Sequence, residues 1–321
     1  MTRIATVCIT LLLFFSAQTR AQNYPVKPIR VVVPFAAGGA VDTVARALSQ
    51  KLTEIWKQQI IVDNRPGAGG NIAADVVAKS APDGYNMFIT THGFAISPGL
   101  YRKLPYDPVK DFIPVTQLTS SYLILVTNPK MRASSFSELV ALAKLKPGSL
   151  NYGSTGIGAP PHVVMELLKN VTGIDMVHVP YKGDALLNPA LLSGEVQAAL
   201  LPLAGALQHV KAGRLHAIAM TGRTRSAAIP EVPTIAEAGV PGFEHIGWLG
   251  IFAPAGTPRE IVDQFRAEIA KAVHSPEMKE RWPAWGYEPV GGTPEQFAAI
   301  FKTDLATYAR AIREAKIPPQ D

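Results

Sequence analysis

Short β-rich runs that alternate with helical apolar patterns, separated by loops of small residues, constrain this chain more than any other feature. Ile29–Pro34 reads as a strand, and Val41, Val44, Ala45, Leu48, Leu52 and Ile55 then recur on one helical face. Ile60–Val62, a turn at Asn64–Gly70, a helix over Asn71–Lys79 and a strand at Tyr85–Thr90 repeat the cycle. Such a βαβ series predicts a parallel sheet with helices on both faces, and it places ligands in the loops at the carboxyl ends of the strands. The middle of the chain does the same with its own elements: strands at Tyr122–Thr127, Met176–Val179, Val196–Leu200 and Leu215–Thr221, and helices between them. The length of 321 residues suits two such units. No hydrophilic linker divides them. The apolar segments Val115–Val126 and Ile246–Phe252 read as strands crossing from one unit to the other, which predicts a hinge. Thr257-Pro258-Arg259-Glu260 and Thr293-Pro294-Glu295-Gln296 each read as a capping box that opens a helix of the C-terminal quarter, which returns to the first unit.

The first 21 residues carry a targeting signal. Arg3 precedes the uncharged run Ile4–Phe15, and Thr19-Arg20-Ala21 offers a small-x-small cleavage site before Gln22. The run falls short of the roughly 20 residues that span a bilayer. Cleavage removes the single cysteine, Cys8, together with Arg3 and Arg20, leaving 29 basic against 25 acidic residues. The expected product is exported, soluble and free of disulfide or thiol chemistry. Its basic residues are scattered, so nucleic acid is not an expected partner.

Enzyme and cofactor motifs fail one by one. Gly67-Ala68-Gly69-Gly70-Asn71-Ile72 has Ile72 where a dinucleotide fingerprint needs its third glycine, and no P-loop is present. The seven histidines show no zinc spacing. Gly153-Ser154-Thr155-Gly156 lacks the nucleophile-elbow spacing, although a triad built from distant residues stays open. No cofactor, no metal and no catalysis are expected, with an exported hydrolase of carboxylate esters as the alternative.

What remains is a set of small-residue loops between strands and helices. In Phe35-Ala36-Ala37-Gly38-Gly39-Ala40-Val41-Asp42, the glycines leave backbone N–H groups at a helix start open to an anion. Asp42 reads either as a first-turn cap or as part of that site. Gly153-Ser154-Thr155-Gly156-Ile157-Gly158 adds two hydroxyls, Tyr181-Lys182-Gly183 adds a phenol and a positive charge, and His162 stands at the next helix start as a donor or a structural ring. Lys182 is open between solvent and the cleft.

These segments resemble one family in order along the chain. Val33-Pro34-Phe35-Ala36-Ala37-Gly38-Gly39 with Asp42 and Arg46 is one, and Asn64-Arg65-Pro66-Gly67, Pro82-Asp83-Gly84-Tyr85 and Asn151–Gly156 with Gly158 and His162 follow. His178-Val179-Pro180-Tyr181-Lys182-Gly183, Val232-Pro233-Thr234 and Ala253–Pro258 complete the set. The chain resembles the tripartite tricarboxylate transporter receptors, or Bug receptors. The resemblance implies an α/β, two-domain periplasmic binding protein of type II-like architecture, hinged by two crossing strands and closing over a small carboxylate. Residues 22–121 with 247–321 would form the first domain and 122–246 the second. The implied ligand contacts are Phe35, Ala37, Gly38, Gly39, Asp42, Thr91 and His92 on one side, and Ser154, Thr155, Gly156, Gly158, His162, Tyr181, Lys182 and Gly183 on the other. A monomer that delivers its ligand to a membrane permease, or to a sensor, is expected. Two departures from the family pattern, Ala190 and the run Leu200–Leu203 where relatives often carry acidic or polar residues, argue against an amino-acid ligand. They predict an apolar body behind the carboxylate, packed on Leu200–Leu203, Phe35 and Phe94.

Overall fold

The computed structural model describes residues 24–321, so the expected signal peptide at 1–21 lies outside the described residues. In chain order, β1 (Ile29–Val33), α1 (Ala40–Trp56), β2 (Ile60–Asn64), α2 (Asn71–Ala78), β3 (Asn86–Thr91), α3 (Gly93–Leu100) and β4 (Phe112–Ser121) come first. Next are β5 (Leu123–Thr127), α4 (Phe136–Leu145), β6 (Asn151–Ser154), α5 (Pro160–Thr172), β7 (Val177–Pro180), α6 (Asp184–Ser193), β8 (Ala198–Pro202), α7 (Leu203–Lys211) and β9 (His216–Met220). The chain ends with β10 (Gly247–Pro254), α8 (Arg259–Val273), α9 (Pro276–Ala284), β11 (Tyr287–Pro289) and α10 (Pro294–Glu314). Among the described residues no helix is long and apolar enough to cross a membrane.

Two sheets organise these elements: a six-stranded one in the order β11-β4-β10-β3-β1-β2, and a five-stranded one in the order β7-β6-β8-β5-β9. β1 pairs in parallel with β2 and β3, and β6 in parallel with β7 and β8. The expectation of parallel sheets fails at an interior strand of each and at the edge strand β11, which runs antiparallel to β4. β10 runs antiparallel to both β3 and β4, and β5 antiparallel to both β8 and β9. The reason is topological: these strands enter their sheet from the other domain, so they arrive against the local strand direction.

Each sheet is covered on both faces by its own apolar core. The stripe read from the sequence does this work in α1, where Val44, Ala45, Leu48 and Leu52 are buried beneath β1. On the opposite face, Phe94 of α3 stacks on Phe301 of α10 at 5.4 Å and meets Phe252 of β10 edge-on at 5.2 Å. Contacts of this kind add about 0.5–1.5 kcal/mol each beyond area burial and hold the last helix on the first domain. Val163 and Leu167 of α5 join the same cluster from the second domain, so the two domains touch.

The crossings are short. A single residue, Tyr122, separates β4 from β5. On the return, the His245 amide donates to the Thr221 carbonyl at 2.8 Å, and Gly247 already lies opposite Ser121. Of the two expected capping boxes, only Thr293 forms one, with Gln296 answering it. Thr257 instead donates its hydroxyl to the Pro254 carbonyl at 2.8 Å, and α8 starts after Pro258 without a side-chain cap. The tight turn after β10 brings that carbonyl closer than the helix amides.

Candidate functional site

The loop after β1 is built from within. Gly38 has φ +82 and its amide donates 2.8 Å to Asp42 Oδ2, the third residue of α1. The same carboxylate accepts from Arg46 Nε at 2.9 Å and Asn64 Nδ2 at 2.9 Å, and Asn64 also donates to the Phe35 carbonyl at 3.0 Å. Burial alone would push the Asp42 carboxyl up, but the bonds from Arg46, Gly38 and Asn64 win and hold it below its ordinary value. Asp42 is therefore the cap of the two alternatives, spent on shaping the loop. The Gly39 amide turns to the Ala36 carbonyl at 3.4 Å, whereas of residues 36–40 the amides of Ala36, Ala37 and Ala40 have no acceptor among the described residues. Residues 36–40 are all exposed and Phe35 is half-buried. Three open amides at the positive end of a 17-residue helix make a ready place for an anion.

The second domain repeats the device with neutral groups. Gly158 has φ +73, and its amide donates 2.9 Å to His162 Nδ1, the third residue of α5. Ser154 is fully buried; its Oγ accepts from the Gly156 amide at 3.2 Å and lies 2.6 Å from His178 Nε2. His162 and His178 stack at 3.8 Å, and Tyr152 stacks on His178 at 4.9 Å. Burial, then the neighbouring charges, push both imidazoles down to about 4. The Tyr181 amide donates to the Ser154 carbonyl at 2.9 Å and the Gly183 amide to the Thr155 carbonyl at 3.3 Å, so the two loops of this domain form one wall. Within it the amides of Thr155, Ile157 and Lys182 find no acceptor among the described residues. Lys182 is exposed, while the Tyr181 phenol is taken up by Glu195 Oε1 at 2.9 Å.

Thr91 ends β3, the strand beside β1, and His92 follows it. Thr91 is half-buried and caps the Gly93 amide at 3.2 Å. His92 is packed among His245, Trp248 and Tyr308 beside the second crossing, with both ring nitrogens unpartnered. Leu200 and Leu201 are 1% and 3% exposed in the two cores of the second domain, Ala190 is 5% exposed among the same core residues, and Phe94 is 4% exposed in the aromatic cluster. The idea that these positions select against an ammonium group thus loses its basis, because β8 and α6 turn them inward. Asn64, Arg46 and His178 carry no site signal of their own in the sequence; their roles appear once β2 and β7 are placed beside β1 and β6.

Among the described residues no hydrogen bond joins the wall at 35–42 to the wall at 154–158. The domains instead meet beside them, with Leu100 of α3 set against Gly158. A cavity of about 510 Å³ borders Ala37, Gly38, Asp42, Arg46, Arg281 and Trp285, all from the first domain. Another, about 550 Å³, lies at the crossings against His245, Trp248, Asp304 and Tyr308, and no site residue expected from the sequence lines it.

A family model described as tripartite tricarboxylate transporter family receptor matches residues 44–317. The chain belongs to this receptor family. The receptor is 35% identical over 301 residues to BugT of Bordetella pertussis, covering 93% of this chain and 92% of that protein. Its fold is similar to that of Rpa4515 from R. palustris, solved with adipate, at a TM-score of 0.81 and 34% identity, over 93% of this chain and all (100%) of that one. MatC from Rhodopseudomonas palustris, solved with bound malate, gives 0.76 and 31%, over 90% and 100%. Members of the family are periplasmic receptors.

Proposed function

We propose that this receptor captures a small organic carboxylate between its two domains in the periplasm, after loss of residues 1–21, and presents it to a membrane permease or a sensor. The observation that carries the reading is the set of open amides on the exposed residues Ala36, Ala37 and Ala40 at the start of α1, without an acceptor among the described residues. The acids named with Rpa4515 and MatC have the matching chemistry. In this reading Phe35, Ala37, Gly38 and Gly39 hold the acid from the first domain, 22–121 with 247–321. Thr155, Gly156, Lys182 and Gly183 close on it from the second, 122–246. Asp42, Ser154, Gly158 and His162 keep the walls in shape. No cofactor is needed, since closure follows from tighter binding to the shut state.

Hydrolysis has one observation in its favour, the Ser154–His178 contact of 2.6 Å. It is outweighed by the full burial of Ser154, whose oxygen is already engaged with Gly156.

The test is a thermal-shift screen of dicarboxylic and aromatic acids, followed by calorimetry, because a ligand of the folded state raises the midpoint by mass action. Gly39 is extended, with φ −75, and a Cβ there would meet only the Ala36 carbonyl at 3.4 Å. Gly39→Val is expected to fold normally and bind at least about tenfold more weakly, a loss of roughly 1.4 kcal/mol. Unchanged binding would remove this loop from the site, and Ser154-dependent conversion of an ester, seen by mass spectrometry, would overturn the receptor reading.

A further inference from the structure

The wall at 154–158 has more amides than it presents. Its Gly156 amide ends on Ser154 Oγ and its Gly158 amide on His162 Nδ1, leaving Thr155 and Ile157 in between. Two imidazoles, the buried His162 and the half-buried His178, hold this selection. His162 accepts from Gly158 at 2.9 Å, His178 holds Ser154 at 2.6 Å, and the rings lie 3.8 Å apart and 9° from parallel. A ring that accepts at Nδ1 carries its proton on Nε2 and is neutral. We propose that the His162–His178 stack is a positioning device that turns alternate amides of the 154–158 loop inward, so that of this loop's amides those of Thr155 and Ile157 are the ones offered to the ligand. The inference rests on the carboxylate reading for its functional part.

The surroundings fix the stack. From β6, Tyr152 stacks on His178 at 4.9 Å and gives its hydroxyl to Glu166 of α5. Lys169 binds Glu166 at 2.8 Å, so the one charged pair facing the rings is internally balanced. From the first domain the apolar Leu100 packs against the turn at Gly158. Protonating His162 would turn its acceptor into a donor facing the Gly158 N–H and set a charge against His178. The turn would then lose the bond that aims it.

Amide hydrogen exchange and nitrogen NMR on the full protein test this without any ligand. Wild type is expected to protect Gly156 and Gly158, to leave Thr155 and Ile157 fast, and to show His162 as the Nε2–H tautomer. In His162→Leu the Gly158 amide should become fast; in His162→Asn, whose Oδ1 falls where Nδ1 was, it should stay slow. Fast exchange at Gly158 in wild type, or slow exchange at Gly158 in His162→Leu, would overturn the proposal. Adipate and malate titrations supply the functional readout. His162→Leu should bind about tenfold more weakly and His162→Asn within about threefold of wild type. The ratio of wild-type to Asn affinity, in which the acid's own titration cancels, should fall below pH 5. Equal binding by the Leu variant, or a flat ratio, would count against the positioning role. A wild type that binds neither acid defeats the carboxylate reading, while the exchange pattern still decides the inference.

Discussion

Gly38 and Gly158 occupy the same place in two helices from different domains. Each stands two residues before the helix, each has a positive φ, and each donates its amide to the third helical residue. The acceptors differ in kind. Asp42 is a charged group stabilised by Arg46 and Asn64, whereas His162 is a neutral ring stabilised by stacking on His178. One backbone solution can therefore be held by an ionic network or by an apolar stack, and the two must answer differently to protons and to packing.

The largest effect should be the response to acid. His92, His162 and His178 are pushed down to about 4 and His245 well below its ordinary value, in each case chiefly by burial. The unfolded chain takes up protons near 6.5, so between there and about 4 it binds more of them than the folded protein does. Stability should fall as pH drops through that window. Asp304, raised to about 6 by burial, is protonated first in the folded state and offsets part of the loss. Asp42, held below 3.8, keeps its contribution until lower pH. The second-domain wall should thus loosen before the first, which exchange rates at Gly158 and Gly38 would reveal. A melting midpoint that stays level from pH 6.5 to 4 would break the comparison.

Packing separates the glycines next. A Cβ at Gly158 would come 2.2 Å from Leu100 Cδ2, while at Gly38 it would meet nothing within 4 Å. Both substitutions to Ala pay for the left-handed backbone, about 1 kcal/mol, but Gly158→Ala adds overpacking of about 1–3 kcal/mol. Denaturation should place Gly158→Ala well below Gly38→Ala, and adding Leu100→Ala should recover part of the difference. Equal losses would mean that Leu100 yields freely.

The smallest effect is expected from Asp42→Asn. It keeps an oxygen for Gly38 but removes the charge that Arg46 answers, a change of about 1–2 kcal/mol in chemical denaturation. A loss no larger than that of an exposed surface residue would show that the network is not what holds the loop.

The strands and the amphipathic helices were legible because period and burial coincide in them, as in α1. Gly93–Leu100 was not: Gly93, Ser97, Pro98 and Gly99 hide a helix that exists because Phe94 and Ile96 are wanted in the aromatic core. The small-residue loops announced themselves, but not which amides were already committed. That depends on Asn64 and His178, which reach the loops only through strand pairing. Leu201 shows the converse, since a run at a strand end reads as cleft lining until its alternation is seen to face inward on both sides.

The placement of β10 between β3 and β4 has a consequence for the order of assembly. The second sheet is made from one continuous stretch and can close as soon as β9 is available, whereas the first waits with a gap at its middle until β10 arrives. Until then β3 and β4 expose unpaired edges, the sites at which a half-made chain pairs with the wrong neighbour. Refolding should accordingly show the second domain protected before the first, with the slow, concentration-sensitive phase belonging to the insertion of that one strand.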